Sequence, residues 1–203
     1  MSTAKSATRI PSEAGADPRR VALLEAAFGV FARYGYRKTS MDEVARAAQI
    51  SRQGLYLHFA NKEDLFRATL RQAIDAALAA AMRALKEDSP LPERVLKAFD
   101  EWIGRHVGRF AADASDLIEA SETVGGNVIA DHEKLFLDAV ALALREAGLA
   151  AAYKPAGLTT RHLSENLAAT ARGLKHSCAT REEFRQAFAT AVRITCAPLA
   201  AGR

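Results

Sequence analysis

The sequence predicts an all-α protein with an N-terminal three-helix head, containing a helix-turn-helix, and a C-terminal helical bundle. Three observations predict it. Apolar residues recur at helical spacings of three and four along most of the 203 residues, and strand-period alternation is absent. Helix starts carry Ser, Thr, Asp or Asn caps, and Gly or Pro marks the breaks. Two of the helices are short and closely joined, within the run SMDEVARAAQISRQGLYLHF from Ser40 to Phe59.

Residues 1–16 are small, polar and aperiodic, and read as a disordered tail whose Lys5 and Arg9 could reach along a DNA groove. Asp17-Pro18 opens the first helix, with Asp as cap and Pro in the first turn. Val21, Leu24, Phe28 and Phe31 form its apolar stripe, and Gly35 ends it. Arg19 and Arg20, at the positive end of this helix, suit either a phosphate or plain solvent. Ser40 and Glu43 form a capping box for a helix over 41–48, with Val44, Ala45 and Ala48 as its stripe. Gln49-Ile50 makes the turn, with Ile50 expected as a buried plug. Ser51 caps the next helix, in which Leu55 and Phe59 should face inward.

Asn61 caps a long helix from Lys62 to about Lys86, striped by Phe66, Leu70, Ile74, Ala77, Ala81 and Leu85. Nothing breaks it, so it should run from the head into the body. Pro90 and Pro92 stop it. Five further helices are expected near 93–110, 115–123, 128–147, 160–177 and 181–197, with breaks at Gly125-Gly126, Gly148 and Lys154–Gly157. The organisation expected is thus a tail over 1–16, a head over 17–62 and a body over 63–203.

The chemistry concentrates on the second short helix. Arg52, Gln53 and Tyr56 share a face at i, i+1 and i+4. Arg can bond guanine bidentately and Gln adenine in the major groove, while Tyr offers a hydroxyl to phosphate and a ring to a thymine methyl. Gly54 costs about 1 kcal/mol in a helix relative to Ala, which makes sense where backbone must approach DNA. Lys62 and the free N–H groups around it suit a phosphate. Charge agrees: residues 1–67 hold 11 Lys/Arg against 7 Asp/Glu, whereas residues 68–203 hold 17 of each. The basic excess sits wholly at the end expected to meet nucleic acid.

The string LLEAAFGVFARYGYRKTSMDEVARAAQISRQGLYLHFANKEDLF resembles the DNA-binding head of the tetracycline-repressor (TetR) family. Its marks are a first helix ending in Phe and Tyr-Gly, the Thr-Ser start, the Ala-rich second helix, and the Leu-Tyr-x-His-Phe and Asn-Lys-Glu close. The resemblance covers residues 19–70. It implies DNA contacts at Thr39, Ser40, Arg52, Gln53, Gly54, Tyr56, His58 and Lys62, with Tyr56, His58 and Lys62 touching backbone more than bases. For His58, a ring packed at the helix end is the competing role. One departure stands out: Gln49 occupies a turn position where the family usually has glycine, and a non-glycine residue in left-handed conformation pays roughly 1–2 kcal/mol.

The resemblance also implies a ligand-binding and dimerising body. Its partners would be a double-stranded DNA operator, a second copy through the last two helices, and an unidentified small-molecule effector. Leu163, Leu167, Ala171 and Leu174, then Phe184, Ala187, Phe188, Ala191 and Val192, mark those two helices. Phe99, Trp102, Ile103, His106 and Phe110 share one helical face, and Ile129, His132, Phe136 and Val140 another. Phe99, Trp102, His106, His132 and Phe136 could line an effector pocket, or the two stripes could simply be core.

No 18-residue uncharged apolar run and no signal peptide are seen, so cytoplasm is expected. Cys178 and Cys196 should pack as reduced, small apolar residues, with no Cys/His spacing for zinc. No catalytic constellation stands out, so an enzyme is not expected. The functional reading is a sequence-specific, ligand-responsive repressor. A non-specific architectural DNA binder and a small-molecule enzyme built on the helical body are the alternatives.

Overall fold

In the computed structural model, residues 17–108, 115–125 and 127–201 are described; the expected tail over 1–16 and Phe110 lie outside them. Ten α-helices and two short 3-10 turns make up the described chain, with no strand among these residues. Helix α1 spans Pro18–Lys38, α2 Met41–Ala47, α3 Arg52–His58 and α4 Lys62–Leu85. The body continues with α5 Leu91–Trp102, α6 Ser115–Gly125, α7 Val128–Glu146, α8 Leu149–Tyr153, α9 Thr160–Ser177 and α10 Arg181–Ala201.

The local signals explain the helix starts. Asp17 accepts from the Arg19 N–H, Ser51 from Gly54 and Asn61 from Asp64. Ser40 and Glu43 make the reciprocal capping box. Thr159 caps α9 in the same manner, with His162 in the Glu position. Near the end of α1, Gly35 takes φ 79° and ψ 172°, so regular α-helical backbone stops there although a last turn follows.

Buried apolar side chains fall into two clusters. The head cluster joins Leu23, Leu24, Ala27, Val30 and Phe31 of α1 to Met41, Val44 and Ala45 of α2, then Leu55, Phe59, and Leu65 and Phe66 of α4. Ala120 of α6 belongs to it too, with Leu117 and Val124 packed alongside. The body cluster contains Leu78 to Leu85 of α4 together with buried residues of α5, α7, α8, α9 and α10. Helix α4 therefore puts one end in each core, and α6 rests on the head.

The structure corrects several expectations. Helix α5 stops at Trp102 instead of reaching 110, and Gly104–His106 form a 3-10 turn. The turn is closely packed: a Cβ on Gly104 would come within 2.5 Å of Asp100 Oδ1 and 2.8 Å of the Phe184 ring. Asp100 is buried and accepts from Arg181 Nε and Nη2 at 2.9 and 2.8 Å, which ties α5 to α10 beside the turn. A short helix, α8, lies between the expected breaks at Gly148 and Lys154–Gly157, and α10 continues through Pro198. Ile50 is not a buried plug but 36% exposed. Leu163, Leu167 and Ala171 of α9, and Phe184, Phe188 and Val192 of α10, pack into the body's own core. The outward faces of these two helices carry Ala169, Gly173, Ala197 and the 66%-exposed Ile194. Cys196 is buried in that core and Cys178 packs against it; both are free thiols, and burial pushes the Cys196 thiol up.

Candidate nucleic-acid interface

Helix α3 is held from one side. Leu55 is fully buried, Phe59 follows it into the head core, and the Ser51 cap fixes its start. At about 100° per residue, Gln53 and Leu57 each lie about 160° around the helix from Leu55, so both project away from the protein. Arg52, Gln53, Tyr56, Leu57 and His58 are all exposed. Arg52 pairs with Asp42 of α2 at 2.9 Å and lies 5.6 Å from the Tyr56 ring centroid. Both groups of this ion pair are at least half exposed, so the pair holds Arg52 only loosely and leaves its guanidinium accessible. His58 is exposed, its ring 6.4 Å from that of Phe59. Gly54 fits a second constraint besides close approach to a partner: a Cβ there would meet Ser51 Oγ at 3.1 Å, against the cap itself.

The turn between α2 and α3 is a Schellman motif. Ile50 N–H donates to Ala45 O at 3.0 Å and Gln49 N–H to Arg46 O at 3.2 Å. The motif needs a left-handed residue at Gln49, which sits at φ 57°, the only positive-φ non-glycine residue among those described. The turn keeps the geometry glycine would favour and bears the strain of a side chain.

Three positions implied by the resemblance have internal partners. Thr39 is 2% exposed, and its hydroxyl donates to Gly35 O at 2.6 Å. Ser40 is occupied with Glu43: its N–H donates to Oε2 at 2.8 Å and its hydroxyl lies 2.8 Å from the same oxygen. That bonding holds the Glu43 carboxyl below its ordinary value. Lys62 donates to the carbonyls of Tyr36, Arg37 and Thr39 at 3.0, 3.2 and 3.1 Å, and lies over the Tyr36 ring. It closes the C-terminal end of α1, where a cation complements the helix dipole. Lys62, expected to suit a phosphate, thus has three internal carbonyl partners in this structure. Conversely, Leu57 is the most exposed large apolar side chain among the described residues, at 82%, and the sequence reading passed over it. Its place two residues beyond the inward Leu55 was the available signal.

Helix α6 latches onto the head beside this end of α1. Arg37 N–H donates to Asp116 Oδ2 at 2.9 Å, and its guanidinium pairs with Glu119 at 2.6 Å. Gly35 accommodates the latch, since a Cβ would lie 2.5 Å from Asp116 Oδ1. Arg67 of α4 also donates to Val124 O at 3.3 Å.

The five expected pocket residues separate. Phe99 and Phe136 meet edge to face at 4.9 Å, Trp102 stacks on Phe136 at 5.3 Å, and Phe188 closes on Phe99 at 4.8 Å. Phe99 and Phe136 are fully buried, so this set is core. His132 turns to α4, with Nε2 2.6 Å from Asp75 Oδ1 and Nδ1 2.8 Å from Val128 O. The break after Trp102 carries His106 off the Phe99 face and beside Phe28 of α1, ring centroids 6.1 Å apart. There it helps line a partly open cavity of about 310 Å³ with Leu24, Glu25, Phe28, Thr69, Gln72 and Arg105, among others. The expectation of one pocket shared by both stripes is corrected by this separation.

Residues 23–69 match the family model described as bacterial regulatory proteins, tetR family. The HTH-type transcriptional activator FasR of Mycolicibacterium smegmatis is 36% identical over 84 residues, 41% of this chain and 38% of that protein. The chain therefore spans well under half the length of this curated relative. Among solved structures, the fatty acid degradation regulator FadR from Bacillus halodurans superposes with a TM-score of 0.65 at 18% identity, covering 89% of this chain and 96% of the other. The regulator FadR from Bacillus subtilis, in complex with stearoyl-CoA, gives 0.61 at 15%, covering 87% and 97%. These likenesses extend the agreement in fold from the head to the body. Residues 23–69 thus match the tetR family of bacterial regulatory proteins, and the fold agrees with these solved regulators over most of the chain.

Proposed function

We propose that the protein is a ligand-responsive transcriptional repressor that binds a palindromic DNA operator as a homodimer. The observation that carries this is the outward face of α3: a capped, rigidly anchored helix whose Arg52, Gln53, Tyr56 and His58 are exposed. Arg52 and Gln53 read bases, while Tyr56 and His58 contact backbone. Ser40 and Thr39 place the start of α2, Gly54 allows close approach, and Lys62 braces the head from within. One such helix reads a short site, so two copies related by a two-fold axis would engage half-sites about 34–36 Å apart. The small outward faces of α9 and α10, with Ala169, Gly173 and Ile194, support pairing there.

The effector reading rests on the two routes from body to head, α4 and the α6 latch. A ligand in the cavity beside His106 would touch α1 and α4 together and shift one against the other. That a structural relative was solved with stearoyl-CoA supports a body that takes small molecules. Coupling of this kind is typically about 1–3 kcal/mol, or 5–150-fold in affinity. No helix among the described residues is long and apolar enough to cross a membrane, in keeping with a regulator working in the cytoplasm.

Selection from a random DNA pool with purified protein tests the reading. Enrichment of inverted half-sites one helical turn apart is the expected result. Equal retention of all sequences would favour the architectural alternative, and turnover surviving deletion of residues 1–60 the enzyme.

A further inference from the structure

Leu57 is 82% exposed on a helix otherwise polar on its outer face. Among the described residues nothing covers it, and no other large apolar side chain is so exposed. It follows Gln53 by four residues, so the two stand one turn apart, about 6 Å along the outermost line of the helix. Base pairs stack about 3.4 Å apart, which makes that separation slightly under two base steps. An aliphatic group at the floor of the major groove has one apolar feature to meet there, the 5-methyl of thymine. Tyr56 and His58 flank Leu57 around the helix, where they can reach the two walls of the groove and exclude water from such a contact.

We propose that Leu57 is a specificity-determining residue that reads a thymine methyl, within two base steps of the base bonded by Gln53. The inference rests on the DNA-binding reading above. It adds to that reading the chemical identity of one base in each half-site. Leucine has no donor or acceptor, so preference at this position comes only from burying methyl against methyl. Cytosine and uracil, which lack the methyl, are discriminated against equally at that carbon.

The test uses the full-length protein and a duplex recovered from the random-pool selection. Each thymine in one half-site is replaced singly by deoxyuridine, which removes the methyl and leaves every hydrogen bond unchanged. With the native protein, one replacement should weaken binding by about three- to tenfold, the scale of one buried methyl-sized contact, and the others should do little. Leu57→Ala should weaken binding to the thymine duplex by a similar factor and bind thymine and uracil duplexes alike. Leu57→Asn provides a second variant, expected to be equally blind to the methyl. The high exposure of Leu57 predicts that both variants melt with the native protein. A uracil response that persists undiminished in both variants overturns the proposal, as does the lack of any sensitive position. Failure to select any duplex overturns the parent reading and this inference together; a selected duplex indifferent to methyl loss overturns only the role of Leu57.

Discussion

Helix α3 buries one of its seven residues, Leu55, whereas α5 buries five of twelve and closes its aromatic face on Phe136 and Phe188. Both helices show a distinctive set of side chains at helical spacing. In α5 the set is satisfied internally, ring against ring. In α3 the corresponding groups show, among the described residues, a loose ion pair and surface ring contacts. The difference teaches where to look for function in this molecule: on groups with recognition chemistry that the fold leaves unsatisfied. It also separates two kinds of damage, since changes in α5 should act on stability and changes in α3 on recognition.

The hardest test of that separation is Phe99→Ala. Removing a fully buried ring should destabilise the protein by about 3–5 kcal/mol, seen as a fall in Tm or denaturant midpoint. Should the variant keep native stability and lose response to an effector, the aromatic face would be a pocket and the contrast with α3 would collapse. Arg52→Ala probes the other side. It should weaken operator binding by about 1–3 kcal/mol and relax one base position, with stability changed by no more than about 0.5 kcal/mol. Unchanged base preference in a repeat selection would remove Arg52 from readout.

Lys62 falls between the two classes. Its ammonium sits at the protein surface in sequence terms but is saturated by three carbonyls of the α1 end. Lys62→Met keeps the stem and removes the donors. It should lower stability by about 1–2 kcal/mol, since bonds to charged groups are worth more than neutral ones and this site is partly solvated. Amide exchange would show the loss centred on residues 36–39. An unchanged melting point with weakened DNA binding would instead return Lys62 to a phosphate role.

This contrast also marks how much could be read from the sequence. Local chemistry was legible: the caps at Asp17, Ser40, Ser51 and Asn61, the stop at Gly35, and the unbroken α4 all appear where short-range rules place them. The missing glycine marked Gln49 as an irregular position but left open whether its turn would be left-handed, which only the structure shows. Long-range packing was not legible. Gly104 looks like any helix-interior glycine until Asp100 and Phe184 are seen pressed against it, at the turn where α5 has ended and His106 points to another cavity. Likewise the partners of Lys62 lie 23 to 26 residues earlier, a separation no periodicity encodes. Leu57 was legible by its angle from Leu55, but an apolar residue beside Arg, Gln and Tyr is easily taken for core.

A smaller effect would sharpen the account of the reading helix. Gln49 holds φ 57° because the Schellman bonds require it. Gln49→Gly should therefore stabilise the head by about 1 kcal/mol, the glycine gain at a left-handed position reduced by its greater freedom when unfolded. Operator specificity should not change, because the turn geometry is already formed. If the variant melts at or below the native temperature, the Gln49 side chain makes a contribution that offsets its backbone strain.

The smallest expected effect is a pH dependence at the start of α2. The Glu43 carboxylate accepts from the Ser40 N–H and shares its oxygen with the Ser40 hydroxyl, and these bonds hold its pKa down. A group with a depressed folded pKa contributes stability above its unfolded pKa and loses it as pH falls through the folded one. The capping box should therefore be intact near neutrality and open only on the acid side of the ordinary carboxylate range. Amide exchange at Ser40 and Glu43, followed down an acid titration, should rise there. Ser40→Ala should weaken the dependence without abolishing it, because Glu43 keeps the backbone N–H of residue 40 but loses the hydroxyl, and the α2 start loses its side-chain cap. An acid response undiminished in that variant would assign the titration to the backbone N–H bond and Arg46 alone, and would leave the start of α2 independent of its side-chain cap.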